Sequence, residues 1–268
     1  MSEFLNRRLQ ALIDASAAPT LRDIRRGIEK ESLRITPQGT LAQTPHPLTL
    51  GSALTHPHIT TDYSEALLEF ITPASTGVST PLAFLDRVHR YTYSQLGDEL
   101  LWVNSMPCRV DHDDDVPVAY YGTSNIGRMK HIYRLGLGHR YGRRMQTIAG
   151  IHYNFSWPKS FWEINQQTEG NQQPLQDYIS SRYFDLLRNF HRYSWLLVYL
   201  FGASPAVCAS FLKGRDHQLL KRFDHSLFRP GATSLRMSDL GYQNNAQSSL
   251  HISYNDIDSY VRTLNHAI

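Results

Sequence analysis

Gly27-Ile28-Glu29-Lys30-Glu31-Ser32-Leu33-Arg34-Ile35 sets two carboxylates two residues apart and follows them, at the same spacing, with Leu33 and Ile35. In an extended strand successive side chains alternate between faces, so Glu29, Glu31, Leu33 and Ile35 share one face. Two such carboxylates lie only about 7 Å apart and repel unless a cation bridges them. A second stretch, Thr60-Thr61-Asp62-Tyr63-Ser64-Glu65-Ala66-Leu67-Leu68-Glu69-Phe70-Ile71-Thr72, places Glu69 inside an apolar run. An unpaired charge there carries a large desolvation penalty. Glu29, Glu31, Asp62 and Glu69 therefore read in two ways. One is a site for a hard divalent cation such as magnesium, which takes carboxylates together with substrate phosphates. The other is an exposed strand edge whose acids pair with Arg25, Arg26, Lys30 or Arg34. Spacing alone leaves both open.

Outward from these strands, helical spacing of Phe4, Leu5, Leu9, Leu12 and Ile13 predicts a helix over 3–15, ended by Pro19. The segment from Asp62 to Thr72 reads as a second strand. A long helix is expected from about Thr80 to Trp102, opened by Ser79-Thr80-Pro81. Alternation over Met145 to Trp157 predicts a third strand, with Gln146, His152 and Asn154 on one polar face. A lone strand histidine is more often a hydrogen-bonded residue than a ligand, and magnesium disfavours nitrogen. Residues 174–201 read as an aromatic-rich helix stopped by Gly202-Ala203-Ser204-Pro205, and 254–268 as a final helix. Long helices mixed with strands, without a regular βαβ alternation, give an α+β class with an antiparallel or mixed sheet.

The chain of 268 residues carries 27 basic against 24 acidic residues, a net charge of +3 that points to neither nucleic acid nor a membrane surface. No signal-peptide core or long apolar span is present, which gives a cytoplasmic expectation. Cys108 and Cys208 are too few for a disulfide framework or zinc knuckle and read as reduced thiols. The acidic run Asp111-His112-Asp113-Asp114-Asp115 misses the calcium-loop pattern and reads as a solvated loop. Gly136 to Gly142 is no dinucleotide fingerprint, and no Walker A sequence or nucleophile elbow occurs. Two donor-rich segments, 121–134 and 232–244, could meet anionic substrates or serve as structural turns.

The blocks Arg26 to Arg34, Gly51-Ser52-Ala53-Leu54-Thr55-His56, Thr60-Thr61-Asp62, Glu65 to Pro73, Tyr121 to Arg128, Met145 to Phe155, Phe201 to Ala206 and Thr233 to Tyr242 lie in order along nearly the whole chain. In them the chain closely resembles the proteobacterial-type glutamate-cysteine ligases. The resemblance implies a carboxylate-amine ligase fold with a glutamine-synthetase-like sheet, joining L-glutamate to L-cysteine with ATP and Mg2+ or Mn2+. It implies that Glu29, Glu31, Asp62, Glu69 and His152 bind metal. Tyr133, Gln146, Ile148, Arg236 and Tyr242 would accept cysteine, and Glu29, Glu69 and Arg134 would serve the catalytic step. Family members continue for roughly as much chain again. The resemblance therefore implies that residues 1–268 are the N-terminal part of a single catalytic domain, with a C-terminal half as partner. The alternatives are a non-catalytic fragment that retains the pocket and a metal-dependent hydrolase that needs no acceptor amine.

Overall fold

The structure, a computed structural model, describes residues 3–217, 221–238, 240 and 252–267. Its centre is β1, Arg25–Ile35, an eleven-residue strand that organises an antiparallel sheet. One edge of β1 pairs with β3, Leu67–Ile71, which in turn pairs with β2, Ile59–Thr61. Its other edge is shared by two strands in sequence: β4, Leu100–Leu101, opposite Arg34 and Ile35, and β5, Ile151–Ser156, opposite Arg25 to Lys30. A smaller antiparallel sheet joins β6, Ala206–Cys208, β7, Lys221–Phe223, and β8, Ser226–Phe228, in the order β6-β8-β7. The α+β class and the antiparallel sheet agree with the sequence reading.

Alternation along the strands sorts side chains between two faces. On one, Ile59, Leu68 and Phe70 pack with Leu50, Leu96 and Leu101 beneath α2, Ser79–Tyr93. On the other, Leu33 and Ile35 enter a core with Tyr63, Leu67, Val110, Val116 and Ala149. That second face is closed at the Leu33 end. It runs through Glu31 to Glu29 at the open end, so the acidic pair does continue an apolar stripe.

Three expected elements are shorter than the sequence suggested. The helix from Thr80 stops at Tyr93, because Gly97 turns the chain with φ of 61° and sends Leu100 and Leu101 into the sheet. The segment 62–72 is a hairpin return: Leu67 N donates to Ser64 O at 2.9 Å and Asp62 N to Leu67 O at 3.0 Å, leaving Asp62 in the turn. The segment from Met145 begins as a 3-10 turn, Arg144–Thr147, and becomes strand only at Ile151, so Gln146 does not share a strand face with His152. The helices α1, Glu3–Asp14, α5, Leu175–Phe201, and α6, Ile257–Ala267, follow the expected segments. Between them lie α3, Asn125–Tyr141, capped by Ser124, whose hydroxyl accepts from Gly127 N at 3.1 Å, and α4, Lys159–Thr168. No described helix is long and apolar enough to cross a membrane.

Candidate active site

Strand register brings the acids together. Glu31 stands directly opposite Glu69, and Glu69 opposite Thr60 in the middle of β2, two residues before Asp62. Glu29 stands opposite His152. Like charges placed across a ladder are destabilising, so this register is not one that a purely structural sheet would select. Burial and the neighbouring acids push the Glu69 carboxyl up to about 7. Burial also raises Glu31 and Asp62 above the usual carboxylate range. The hydrogen bond to Glu29 raises His152.

The cations that could have explained these acids away are spent elsewhere. Arg34 is fully buried and bound to Glu99 at 2.6 Å, and Arg26 donates to Ile24 O at 3.0 Å and Thr76 O at 2.8 Å. Lys30 donates to Ser32, and Arg25 sits at the far end of β1 opposite Ser156. The positive groups that do face the acids come from later in the chain. Arg134 Nε donates to Asp62 O, and Arg236 lies beside Glu31. Gly150 makes that approach possible. Its N donates to Glu31 Oε2 at 2.6 Å, and a Cβ on it would come within 2.9 Å of Arg236 Nη2.

Glu31, Asp62 and His152 open onto a cavity of about 330 Å³ that is also lined by Tyr133, Arg134, Gln146, Ile148 and Arg236. Eight of the ten candidate residues that the structure describes thus line one cavity. Glu29 and Glu69 lie on the same sheet face just beyond it. Tyr242 and Asp239 fall outside the described residues. Gln146 Nε2 and Arg236 Nε are buried with no hydrogen-bond partner among the described residues. Buried donors are normally paired, and with the Tyr63 hydroxyl three such orphans belong to the lining of one cavity, which suits a ligand that brings acceptors.

Sequence reading missed Tyr63, Leu137 and Met145, which complete the lining. Leu137 could have been found as the residue one helical turn after Tyr133. Tyr63 comes close to α3 only because residue 138 is glycine; a Cβ there would collide with its hydroxyl. The acidic run also does more than meet solvent. Asp113 accepts from Arg143 N at 2.9 Å and Arg144 Nε at 2.7 Å, which fixes the 3-10 turn carrying Gln146. Cys108 is buried, with its thiol pushed up to about 12, and Cys208 is likewise free, so neither supplies a disulfide.

The donor set suits a hard divalent cation in chemistry: four carboxylates whose mutual repulsion a cation would relieve. As they stand, no three His, Cys, Asp or Glu side chains among the described residues are close enough together to grip one ion.

A family model described as "Glutamate-cysteine ligase" matches residues 9–268. The glutamate–cysteine ligase of Alcanivorax borkumensis is 75% identical over 264 residues, covering 98% of this chain and 50% of that protein. The Pseudomonas fluorescens protein of the same name is 57% identical over 268 residues, covering 100% of this chain and 50% of its own. The solved glutamate–cysteine ligase of Francisella tularensis in complex with AMP matches with a TM-score of 0.82 at 41% identity, over 91% of this chain and 47% of that one. A bifunctional glutathione synthetase from Pasteurella multocida matches with a TM-score of 0.80 at 28% identity, over 96% of this chain and 32% of that one. The chain spans about half the length of the curated relatives it matches.

Proposed function

Because the chain belongs to the glutamate-cysteine ligase family, we propose that it forms the metal- and acceptor-binding part of an ATP-dependent ligase that joins the γ-carboxylate of L-glutamate to the amine of L-cysteine. The observation that carries this reading is the cavity in which the orphaned donors Gln146 Nε2 and Arg236 Nε meet the carboxylates Glu31 and Asp62. An amino-acid acceptor needs both: a guanidinium for its carboxylate and nearby negative charge for its ammonium group.

In the proposed reaction the glutamate γ-carboxylate takes the terminal phosphoryl group of ATP, releasing ADP. The cysteine amine then attacks the acyl carbon and phosphate leaves. Glu29, Glu31, Asp62, Glu69 and His152 would hold Mg2+ or Mn2+, which when bound supplies charge neutralisation for the phosphate and carboxylate oxygens. Arg236 orients the acceptor carboxylate. Arg134, tied to Asp62 O and resting 4.7 Å from the Tyr121 ring, lends positive charge to the cavity lining. Tyr63, Leu137 and Ile148 supply apolar wall that excludes water from a hydrolysable acyl phosphate. No protein nucleophile is required, in keeping with the buried thiol of Cys108.

We propose further that residues 1–268 are one part of a larger catalytic domain. Both faces of β5 are exposed, and its outer edge carries no partner strand among the described residues. The far half of α5 exposes Trp195 and Phe201 at 64% and 77%. A helix apolar on several sides belongs in a core, and an open apolar edge is a pairing surface. The second half carried by the relatives is the occupant that these surfaces fit. The test is ADP release with ATP, Mg2+ and glutamate, with and without cysteine, by the chain alone and with that second half added. Cysteine-dependent release supports the ligase. Cysteine-independent phosphate release would favour the hydrolase, and no release in either case overturns the catalytic reading.

A further inference from the structure

Glu29 is held differently from the other acids. Its Oε2 meets His152 Nδ1 at 3.0 Å, and its Oε1 accepts from Asn154 Nδ2 at 2.9 Å, so both carboxylate oxygens are gripped from the same neighbouring strand. The register explains how. His152 is directly opposite Glu29, but Asn154 is opposite Gly27, and with no side chain at Gly27 the Asn154 carboxamide leans along the diagonal to reach Glu29. Diagonal neighbours on a sheet face lie within reach of a side chain of this length.

We infer that Asn154 is a positioning residue for the divalent-cation site: it fixes the plane of the Glu29 carboxylate so that its remaining lone pairs stay on the acidic face. The inference rests on the metal-binding reading above. A carboxylate retains further lone pairs after accepting one hydrogen bond on each oxygen, so the grip orients Glu29 without exhausting it. Without Asn154, the Glu29 carboxylate, about one-third exposed, is anchored at one oxygen only and is free to rotate away from Glu31 and Glu69. Partners of this outer kind typically govern metal affinity by ten- to a hundredfold. Asn154 is itself exposed, so its loss opens no cavity and leaves no buried group unpaired.

The experiment is a Mn2+ titration of the 268-residue chain, read by the electron paramagnetic resonance signal of free Mn2+. It compares the parent with Asn154→Ala, the similarly sized Asn154→Leu, Glu29→Gln, and the double variants. Both Asn154 variants are expected to bind Mn2+ about tenfold more weakly, while the melting temperature of the metal-free protein stays unchanged. In the Glu29→Gln background the Asn154 substitutions should have no further effect, because they act through Glu29. Affinity within twofold of the parent, or an undiminished Asn154 effect in the Glu29→Gln background, overturns the inference. A lowered melting temperature with unchanged affinity assigns Asn154 a structural role only and also overturns it. A parent chain that takes up no Mn2+ overturns the metal-binding reading itself, an outcome distinct from parent binding that the Asn154 variants leave intact.

Discussion

Glu69 shows at the residue scale what a like-charge register costs. Its folded-state carboxyl titrates near 7 against 4.5 in an unfolded chain. Between those values the folded state holds a proton that the unfolded state has lost, so this group's contribution to stability falls as pH rises through the window. Glu69→Gln should therefore stabilise the metal-free chain at pH 8 by ~1–2 kcal/mol, allowing for solvent screening, and have little effect at pH 4.5. Urea unfolding at the two pH values checks it. His46 slopes the other way: burial and the nearby Arg34 lower it from 6.5 to about 4, so its contribution is present above 6.5 and is lost as pH falls toward 4. Comparing variant with parent cancels that background. Arg236→Ala should chiefly weaken cysteine use in the assembled enzyme, raising the cysteine KM by about tenfold or more with glutamate KM little changed, as expected for a charged hydrogen bond worth about 1.5–3 kcal/mol. Unchanged cysteine kinetics would remove Arg236 from the proposed acceptor site. Glu69 was legible in the sequence as an acid inside an apolar run, and Arg236 as a candidate through the family resemblance. Tyr63 was not, because nothing in the spacing says that Gly138 lets a helix settle against it.

Elements are tied together at the end of β1 and at the 3-10 turn. Buried Arg34 donates to Glu99 at 2.6 Å, to Thr44 O at 2.7 Å and to Glu65 O at 3.0 Å, joining β1 to three connecting segments. Arg34→Ala leaves Glu99 and the carbonyls of Thr44, Pro45 and Glu65 short of a partner and is expected to destabilise the fold by about 3–5 kcal/mol, read as a lowered urea midpoint. Asp113→Ala frees the turn at Arg144–Thr147 and should loosen Gln146, weakening the proposed acceptor binding while the acidic face of β1 and β3 is untouched. Equal loss of both functions would sink that assignment. Helix and strand existence followed from periodicity, but their ends did not. Leu96 and Leu100 continue helical spacing past Tyr93, and only the turn at Gly97 with the pairing of Leu100 to Ile35 decides for strand.

For the whole molecule the open feature is the surface beside the site. Ile151, Tyr153 and Phe155 lie exposed on one face of β5, and Phe201 and Ile151 line a common cavity, so the apolar surface of the sheet continues onto the end of α5. Adding the second half of the Alcanivorax borkumensis ligase is expected to give a one-to-one complex and to quench binding of an apolar dye by the chain alone. Self-association of this chain with no capture of that half would point instead to a second copy as the occupant.

The alternation of Glu29 and Glu31 with Leu33 and Ile35 was enough to set the acids on one face, and ordered blocks along the chain were enough to show the family resemblance, because side-chain period and motif order are local properties of a sequence. Which cations answer those acids was settled by pairing between distant segments. Only the register of β1 with β3 and β5 opposes Glu31 to Glu69 and Glu29 to His152, and only the packed chain commits Arg34 to Glu99 while bringing Arg236 beside Glu31. A charge is compensated by what lies near it in space, which residue spacing along the chain does not record.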